Sequence, residues 1–207
     1  MAPRSETSDD DAPIGRRGSY SKGVARRQEI LDRAVEVFRE RGPEGTSLRR
    51  VAEEIGVSHG ALLHYFSSRE QLLLALYEHT EKHRNELRES EEHGRRGAVE
   101  NLVDAASVNV HLPGYVQLYS TLVAGSLEEE RTETRDYFVR RFERVREQTA
   151  ERLRRQQEAG EVRPGLDADK LAALLVAASD GLQTQWLLEE TVDLEGSLEL
   201  FEELLRP

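Results

Sequence analysis

Residues 46–69 read TSLRRVAEEIGVSHGALLHYFSSR, and this stretch decides the fold. Thr46 or Ser47 can cap a short helix, and Gly56 stands where the left-handed end of a helix favours glycine. Ser58 can cap a second short helix. Two short helices joined by a glycine-containing turn are the pattern of a helix-turn-helix, whose second helix lies in the major groove of DNA.

The helix-turn-helix is predicted to span residues 46–66 and to bury one face of each helix in a shared core. Its apolar core residues are Val51, Ala52, Ile55, Val57, Leu62 and Phe66. The other positions of the second helix are predicted to meet DNA, and they are His59, Gly60, Ala61, Leu63, His64 and Tyr65. The two histidines can donate to base edges or phosphates, or they can be ordinary residues of a solvated helix.

Further residues complete the predicted DNA-contacting set, namely Ser47, Arg49, Ser58 and Arg69. Arg49 follows the cap of the first short helix, where backbone N–H groups and the helix dipole also favour a phosphate. The neighbouring Arg50 is either a second phosphate ligand or a solvated residue. Phosphate contacts position a protein on DNA, whereas the second helix reads the bases.

Nearly every periodic segment outside this motif has helical spacing, and no strand pair or hairpin pattern is evident. We therefore expect an all-α protein of about nine helices. Residues 1–20 are expected to form a mobile arm, and Ser21 can cap a first helix that runs to about Arg41. Arg16 and Arg17 in the arm can lie in an adjacent minor groove or belong to a disordered tail.

The motif resembles the TetR family, in which a small hydroxyl residue and Ile/Val-Ala precede Gly-Val-Ser-x-Gly-x-Leu-Tyr-x-Tyr-Phe-x-Ser-Lys-x-x-Leu. The matching residues are Ser47, Val51-Ala52, Gly56-Val57-Ser58, Gly60, Leu62, Tyr65-Phe66, Ser68 and Leu72. Leu63 departs from the pattern because the family usually has a phosphate-binding tyrosine there, and Arg69 replaces a lysine. The resemblance implies a dimeric repressor that binds a palindromic operator and is released by a small molecule.

The last third of the chain, from GEVRP at residues 160–164 onward, is similar to many TetR members. In that family the last two long helices form a four-helix bundle across a two-fold axis. Residues 171–188 favour the same arrangement, because a helix that is apolar on nearly every side must be buried on every side. We expect a homodimer through helices at about 167–190 and 193–205. The predicted domains are a three-helix DNA-binding domain at residues 21–69 and a larger helical domain, for ligand binding and dimerisation, at 70–207.

Charge is distributed unevenly along the chain. The net charge of −11 argues against a nucleic-acid partner. However, eleven Lys and Arg against seven Asp and Glu give residues 12–69 a net charge of +4, while residues 70–207 carry −12. Double-stranded DNA can therefore approach only the N-terminal part without repulsion. The many Glu residues of the chain lie mainly on helix faces with Arg, and they are interpreted as solvated charge.

Composition excludes several classes of protein. Without cysteine, a disulfide scaffold, a thiolate metal site and a thiol redox sensor are ruled out. No secretory signal is evident, and no apolar run approaches the ~20 residues of a membrane span. We therefore expect a cytoplasmic protein with no membrane partner.

A small-molecule pocket is predicted from polar and aromatic residues in the larger domain. The candidate ligand-binding residues are Asn109, His111, Tyr115, Tyr119, Gln183 and Trp186. These residues equally suit a core with satisfied polar groups or a subunit interface. His79 and His83 with Glu86 provide only half of a metal site, and surface residues explain them better, so neither a metal nor a cofactor is expected.

The sequence thus favours a ligand-responsive repressor with double-stranded DNA and an unidentified small-molecule effector as partners. The main alternative is a helical sensor or scaffold that acts without DNA. An enzyme is disfavoured, because the chain has no thiol, no glycine-rich phosphate loop after a strand, no nucleophile elbow and no convincing carboxylate dyad.

Overall fold

A computed structural model of the chain describes residues 16–41, 47–88, 96–128 and 132–207. Within these ranges all regular structure is helical, which confirms the predicted all-α class. The nine helices of the described ranges are α1 (Arg16–Arg41), α2 (Leu48–Glu54), α3 (His59–Tyr65), α4 (Arg69–Arg88), α5 (Ala98–Val110), α6 (Pro113–Gly125), α7 (Thr132–Glu158), α8 (Ala168–Leu188) and α9 (Leu194–Leu205). None of these helices is long and apolar enough to cross a membrane.

The first helix begins earlier than expected. It starts at Arg16, so Ser21 lies inside the helix and Arg16 and Arg17 form part of its first turn. Nothing in residues 16–20 breaks a helix except Gly18, and one glycine costs only about 1 kcal/mol in a helix of 26 residues. The remainder of the predicted arm, residues 1–15, lies outside the described residues.

The caps of the helix-turn-helix form as predicted. The backbone N–H of Arg50 donates to Ser47 Oγ (3.2 Å), and that of Ala61 donates to Ser58 Oγ (3.1 Å). Between the two helices Gly56 has φ +68°, the left-handed conformation that residues with a Cβ rarely adopt. These local interactions fix where α2 ends and where α3 begins.

One hydrophobic core joins the helix-turn-helix to the middle of the chain. It contains buried side chains from α1, α2, α3, α4 and α6, together with Phe138 of α7. Leu72 and Tyr77 of α4 belong to it, so packing continues across residue 70. The division into domains at 21–69 and 70–207 therefore remains a prediction, and α4 is shared between the two parts.

A second core lies among α5, α7, α8 and α9. Asp167 caps α8 by accepting from the N–H groups of Asp169 and Lys170, as its position in the sequence indicates. Tyr77 and Tyr119 of the first core and Leu102 of the second core line a polar cavity, so this cavity is bordered by both cores.

Candidate nucleic-acid interface and ligand cavity

Helix α3 has a fully buried side and an exposed side. Leu62 and the following Phe66 are 0% exposed and anchor the helix in the first core. The predicted DNA-contacting residues on the opposite side are exposed, and they are His59, Gly60, Ala61, Leu63 and His64. Tyr65 is half-buried against the core, and its ring meets the ring of His64 edge-on with 5.3 Å between centroids. Tyr65 therefore supports the position of His64 as well as lying beside the exposed face.

The orientation of α3 is also fixed from α1. The guanidinium of Arg27 lies over the ring of Phe66, 5.0 Å from its centroid. Such a cation–π contact stabilises by about 0.5–2 kcal/mol, depending on its exposure. The end of α3 is thus held by a cation from α1 as well as by apolar packing.

The predicted phosphate-contacting residues lie on the surface at the two helix starts. The hydroxyls of Ser47 and Ser58 accept the cap hydrogen bonds and keep their own O–H for a phosphate. The side chain of Arg49 is 81% exposed and pairs with Glu53 (Nε to Oε1, 3.2 Å). Arg69 is exposed at the start of α4, one turn beyond α3.

Two exposed positions of α3, Gly60 and Leu63, have no polar side chain. Leu63 is 42% exposed where the resembled motif has a tyrosine, so no hydroxyl is available at this position. A Cβ added at Gly60 would meet nothing within 4 Å. Glycine at this position is therefore not required by packing within the chain.

A cavity of about 430 Å³ lies among α4, α5, α6, α7 and α8. Four of the predicted ligand-binding residues line it, namely Asn109, Tyr115, Tyr119 and Gln183. The structure therefore brings together residues that are up to 74 positions apart in the sequence.

The two remaining predicted ligand-binding residues lie outside this cavity. His111 follows the last residue of α5, and its Nδ1 donates to the carbonyl oxygen of Ser107 (2.8 Å). It lines a separate groove between α1, α4 and the start of α6. Trp186 is buried on α8 beyond Gln183, and the cavity does not reach it. The structure therefore does not bring these two residues together with the other four, and their role in ligand binding stays a prediction.

A charged cluster that the sequence did not reveal lies at one wall of the cavity. Arg141 Nε donates to Glu81 Oε1 (2.6 Å), and Tyr137 OH donates to Glu81 Oε2 (2.5 Å). Arg144 Nη2 also donates to Glu81 Oε2 (3.4 Å). The side chains of Glu81 and Arg141 are only 13% and 19% exposed, so the interpretation of Glu and Arg as solvated surface charge is wrong for this pair.

Aromatic rings surround this cluster. The guanidinium of Arg141 lies 4.9 Å from the ring centroid of Tyr119 and 5.9 Å from that of Tyr77. Burial raises the pKa of both tyrosine hydroxyls well above the ordinary value, so both stay protonated donors. Tyr119 OH donates to Asp180 Oδ2 (3.1 Å), and burial raises the pKa of that carboxyl.

A chain of amide hydrogen bonds forms another wall of the cavity. Arg84 Nη2 donates to Asn109 Oδ1 (2.9 Å), and Asn109 Nδ2 donates to Gln183 Oε1 (2.7 Å). Gln183 Nε2 then donates to the backbone oxygen of Ser179 (3.2 Å). Because every link is satisfied, the wall is rigid and links α4, α5 and α8.

Helical spacing offers one signal for the missed residues. Leu73 and Tyr77 are buried on α4, and Glu81 continues the same face four residues later. A carboxylate in line with a buried stripe requires buried partners, and on α7 Arg141 lies three residues after the buried Phe138. The identity of the partners follows only from the fold.

His79 of α4 is engaged by side chains of α1. His79 Nε2 contacts Asp32 Oδ1 (2.8 Å), and its Nδ1 accepts from Gln28 Nε2 (2.6 Å), so this ring connects α4 to α1. Among the described residues no group of three or more His, Cys, Asp or Glu could hold a metal ion.

Comparisons with known proteins agree with this geometry along most of the chain. The family model "Bacterial regulatory proteins, tetR family" matches residues 30–76, which contain α2 and α3. The model "BetI-type transcriptional repressor, C-terminal" matches residues 122–206. The two matches thus cover the helix-turn-helix and α7 to α9.

Individual relatives are transcriptional regulators, and one is named a repressor. The HTH-type transcriptional repressor AcnR of Corynebacterium diphtheriae is 31% identical over 182 residues, which cover 87% of this chain and 92% of the relative. Among solved structures, a regulator from Saccharomonospora viridis in complex with choline is 26% identical with a TM-score of 0.72 and covers 87% of this chain and 96% of its own. A TetR-family regulator from Rhodococcus is also 26% identical, with a TM-score of 0.68, and covers 87% and 98%.

Proposed function

The chain belongs to the TetR family of bacterial regulatory proteins, and from this premise we propose that it is a homodimeric repressor that binds a palindromic operator through α3 and is released by a small molecule in the cavity. The family is one of ligand-responsive, DNA-binding transcriptional repressors and not of enzymes. The proposal places the chain in the cytoplasm, where operator DNA is found.

The observation that carries the proposal is the exposed face of α3. Its framework residues are fully buried while His59 and His64 point to solvent, beside the surface serines and Arg49 of the helix starts. This is the division of roles that a recognition helix requires, because buried residues fix its angle and exposed residues reach the base edges. A sensor or scaffold that acts without DNA would have no use for that exposed face.

A second copy of the chain is the proposed cover for an exposed apolar face on α8 and α9. Leu174 is 64% exposed and Leu188 is 85% exposed, and the small residues Ala177 and Gly181 lie between them at helical spacing. On α9, Leu200 and Leu204 are more than half exposed. Small residues allow two helices to approach closely, so the face suits a four-helix bundle formed across a two-fold axis.

Helix α4 is the proposed link between effector and operator. It begins at Arg69 beside α3, shares the first core through Leu72, and lines the cavity with Tyr77, Glu81 and Arg84. An effector that moves the cavity-lining half of α4 would change the separation of the two α3 helices in the dimer. The coupling is reciprocal, so operator DNA must weaken effector binding by the same factor.

Operator binding provides the test of this docking. His64→Ala and Arg49→Ala are each expected to cost at least about 1 kcal/mol per half-site, which the dimer doubles to roughly 30-fold in affinity. Arg49→Ala is also expected to lower the slope of log affinity against log salt, because each lost phosphate contact removes counterion release. Fluorescence anisotropy with a selected operator fragment, at several salt concentrations, measures both quantities.

The matched control is Arg154→Ala, which removes an equal charge from the far end of α7. Arg154 pairs with Asp169 and is half exposed, so its loss is expected to leave operator affinity unchanged. If the His64→Ala and Arg49→Ala variants both bind the operator as tightly as the unchanged protein at matched salt, the docking through α3 is wrong.

A further inference from the structure

We infer that the effector of this cavity is a small anion, a metabolite that carries carboxylate or phosphate groups. The inference rests on the proposed function, because it takes the cavity to be the effector site.

The first support is the charge of the cavity lining. Five arginines line it, and they are Arg84, Arg141, Arg144, Arg152 and Arg155. Only three carboxylates face them, and they are Glu81, Glu151 and Asp180. Arginines thus outnumber carboxylates in the lining, although the overall net charge of residues 70–207 is −12. Arg152 also donates to the carbonyl oxygen of Arg96 (3.1 Å). A cationic cavity in an acidic domain is a local attractor for anions.

The arrangement of the charges is the second support. Glu81 accepts hydrogen bonds from two guanidiniums. Arg141 donates to one of its oxygens (2.6 Å), and Arg144 donates to the other (3.4 Å), which also accepts from Tyr137 OH (2.5 Å). Glu81 is therefore shared by two guanidiniums at a wall where Arg141 is only 19% exposed, and Asp180 also acts electrostatically on Arg141. Two guanidiniums that share one hydrogen-bonded carboxylate keep N–H donors that an anionic ligand can use.

Arg141 also has donors available to a ligand. Its Nε is engaged by Glu81, whereas no acceptor among the described residues binds its two terminal nitrogens. Every fully buried side-chain nitrogen and oxygen of the described residues has a hydrogen-bond partner. The terminal nitrogens of Arg141 have none among these residues, so they are not fully buried, and they are reached from the cavity that Arg141 lines. Two parallel N–H groups of a guanidinium match the two oxygens of a carboxylate or phosphate.

The aromatic faces argue against a quaternary ammonium ligand. Such a cation is recognised by its position over aromatic rings. Here Arg141 already lies over Tyr119 (4.9 Å) and Arg84 already lies over Tyr115 (4.6 Å). A choline-like ligand would have to displace these guanidiniums and would then remain beside their positive charge.

The remaining carboxylates are compatible with an anion. Asp180 accepts from Tyr119 OH (3.1 Å), so its Oδ2 is already engaged within the chain. Neutral donors complete the lining through Asn85, Asn101 and Gln148. A volume of about 430 Å³ lies at the small end of the range for ligand pockets and favours a compact organic acid over a lipid-sized molecule.

The test is calorimetric titration and thermal unfolding of the full-length protein with acetate, succinate, tricarballylate, inorganic phosphate and choline at constant ionic strength. We expect at least one of the anions to bind and to raise Tm, and choline to do neither. Comparison of the carboxylates with inorganic phosphate shows which of the two anionic groups the cavity binds. Arg144→Gln is expected to weaken that binding roughly 10-fold to 100-fold, the effect of one lost charge-assisted hydrogen bond.

Arg144 is 46% exposed, so its substitution leaves the core intact. Arg140→Gln, an exposed residue of α7 outside the cavity lining, is the matched control and is expected to bind the anion normally. Absence of binding by every anion at about 10 mM overturns the inference, as does binding of choline alone or anion binding that Arg144→Gln leaves unchanged. Operator affinity of the same preparations separates the two proposals, because specific DNA binding without anion binding refutes only the effector class.

Discussion

Replacing Leu174 with arginine is expected to convert the dimer into a monomer and to abolish specific operator binding. Leu174 is 64% exposed in the single chain and lies on the α8 face that a second copy is proposed to cover. In a two-fold interface each substitution occurs twice, so two unpaired charges enter an apolar contact, where each costs several kcal/mol. A monomer has one α3 and keeps half of the operator contacts, so we expect affinity to fall at least ~100-fold toward non-specific binding.

Sedimentation equilibrium gives the mass, and anisotropy gives the operator affinity of the same sample. Leu127→Arg is the control, since Leu127 is 83% exposed after the end of α6 and lies outside α8 and α9. The control is expected to remain dimeric and to bind the operator normally. A Leu174→Arg protein that sediments as a dimer with normal operator affinity would show that α8 does not form the interface.

The largest effect on stability is expected from Glu81→Gln. This change keeps the shape of the side chain and removes the carboxylate that pairs with both Arg141 and Arg144. Breaking a buried ion pair while leaving its cation behind costs about 3–5 kcal/mol. For a chain of this size, that corresponds to a fall in Tm of about 10 °C.

Thermal and urea unfolding of the full-length protein measure this loss. Glu86→Gln on the same helix is the control, because Glu86 is 57% exposed and its contact with Lys82 is a long surface pair (3.8 Å). Its free energy of unfolding is expected to change by only a few tenths of a kcal/mol. A loss below about 1 kcal/mol for Glu81→Gln would mean that water already screens the cluster.

The helix-turn-helix could be predicted from the sequence because its determinants are local. Ser47, Gly56 and Ser58 act within three or four residues of their own positions, and the apolar spacing of α2 and α3 follows the helical period. The start of α1 was missed by five residues, because a helix end without a strong cap or breaker leaves little signal.

The cavity could be predicted only in part. Tyr115, Tyr119, Asn109 and Gln183 were identified as polar or aromatic residues within apolar helices, which is a property of each segment alone. The pairing of Glu81 with Arg141 joins residues 60 positions apart, and no sequence period encodes such a pair. In a chain with 33% charged residues, one buried Glu and one buried Arg cannot be distinguished by type from their many solvated neighbours.

The face of α8 illustrates a related limit. The sequence indicates that this helix must be buried on all sides, and within one chain Leu174 and Leu188 remain exposed. Intrachain packing therefore accounts for only part of the apolar pattern. A second copy of the chain that covers Leu174 and Leu188 accounts for the rest of the apolar pattern.

The central claim is that two α3 helices of a dimer read a palindromic operator. Its most direct test is selection of bound fragments from the source genome, followed by hydroxyl-radical footprinting on the selected site. We expect two symmetry-related protected half-sites about 34–36 Å apart, or a multiple of that distance, with affinity that falls steeply with salt. A footprint without two-fold symmetry, or no specific and salt-dependent binding to any fragment, would contradict it.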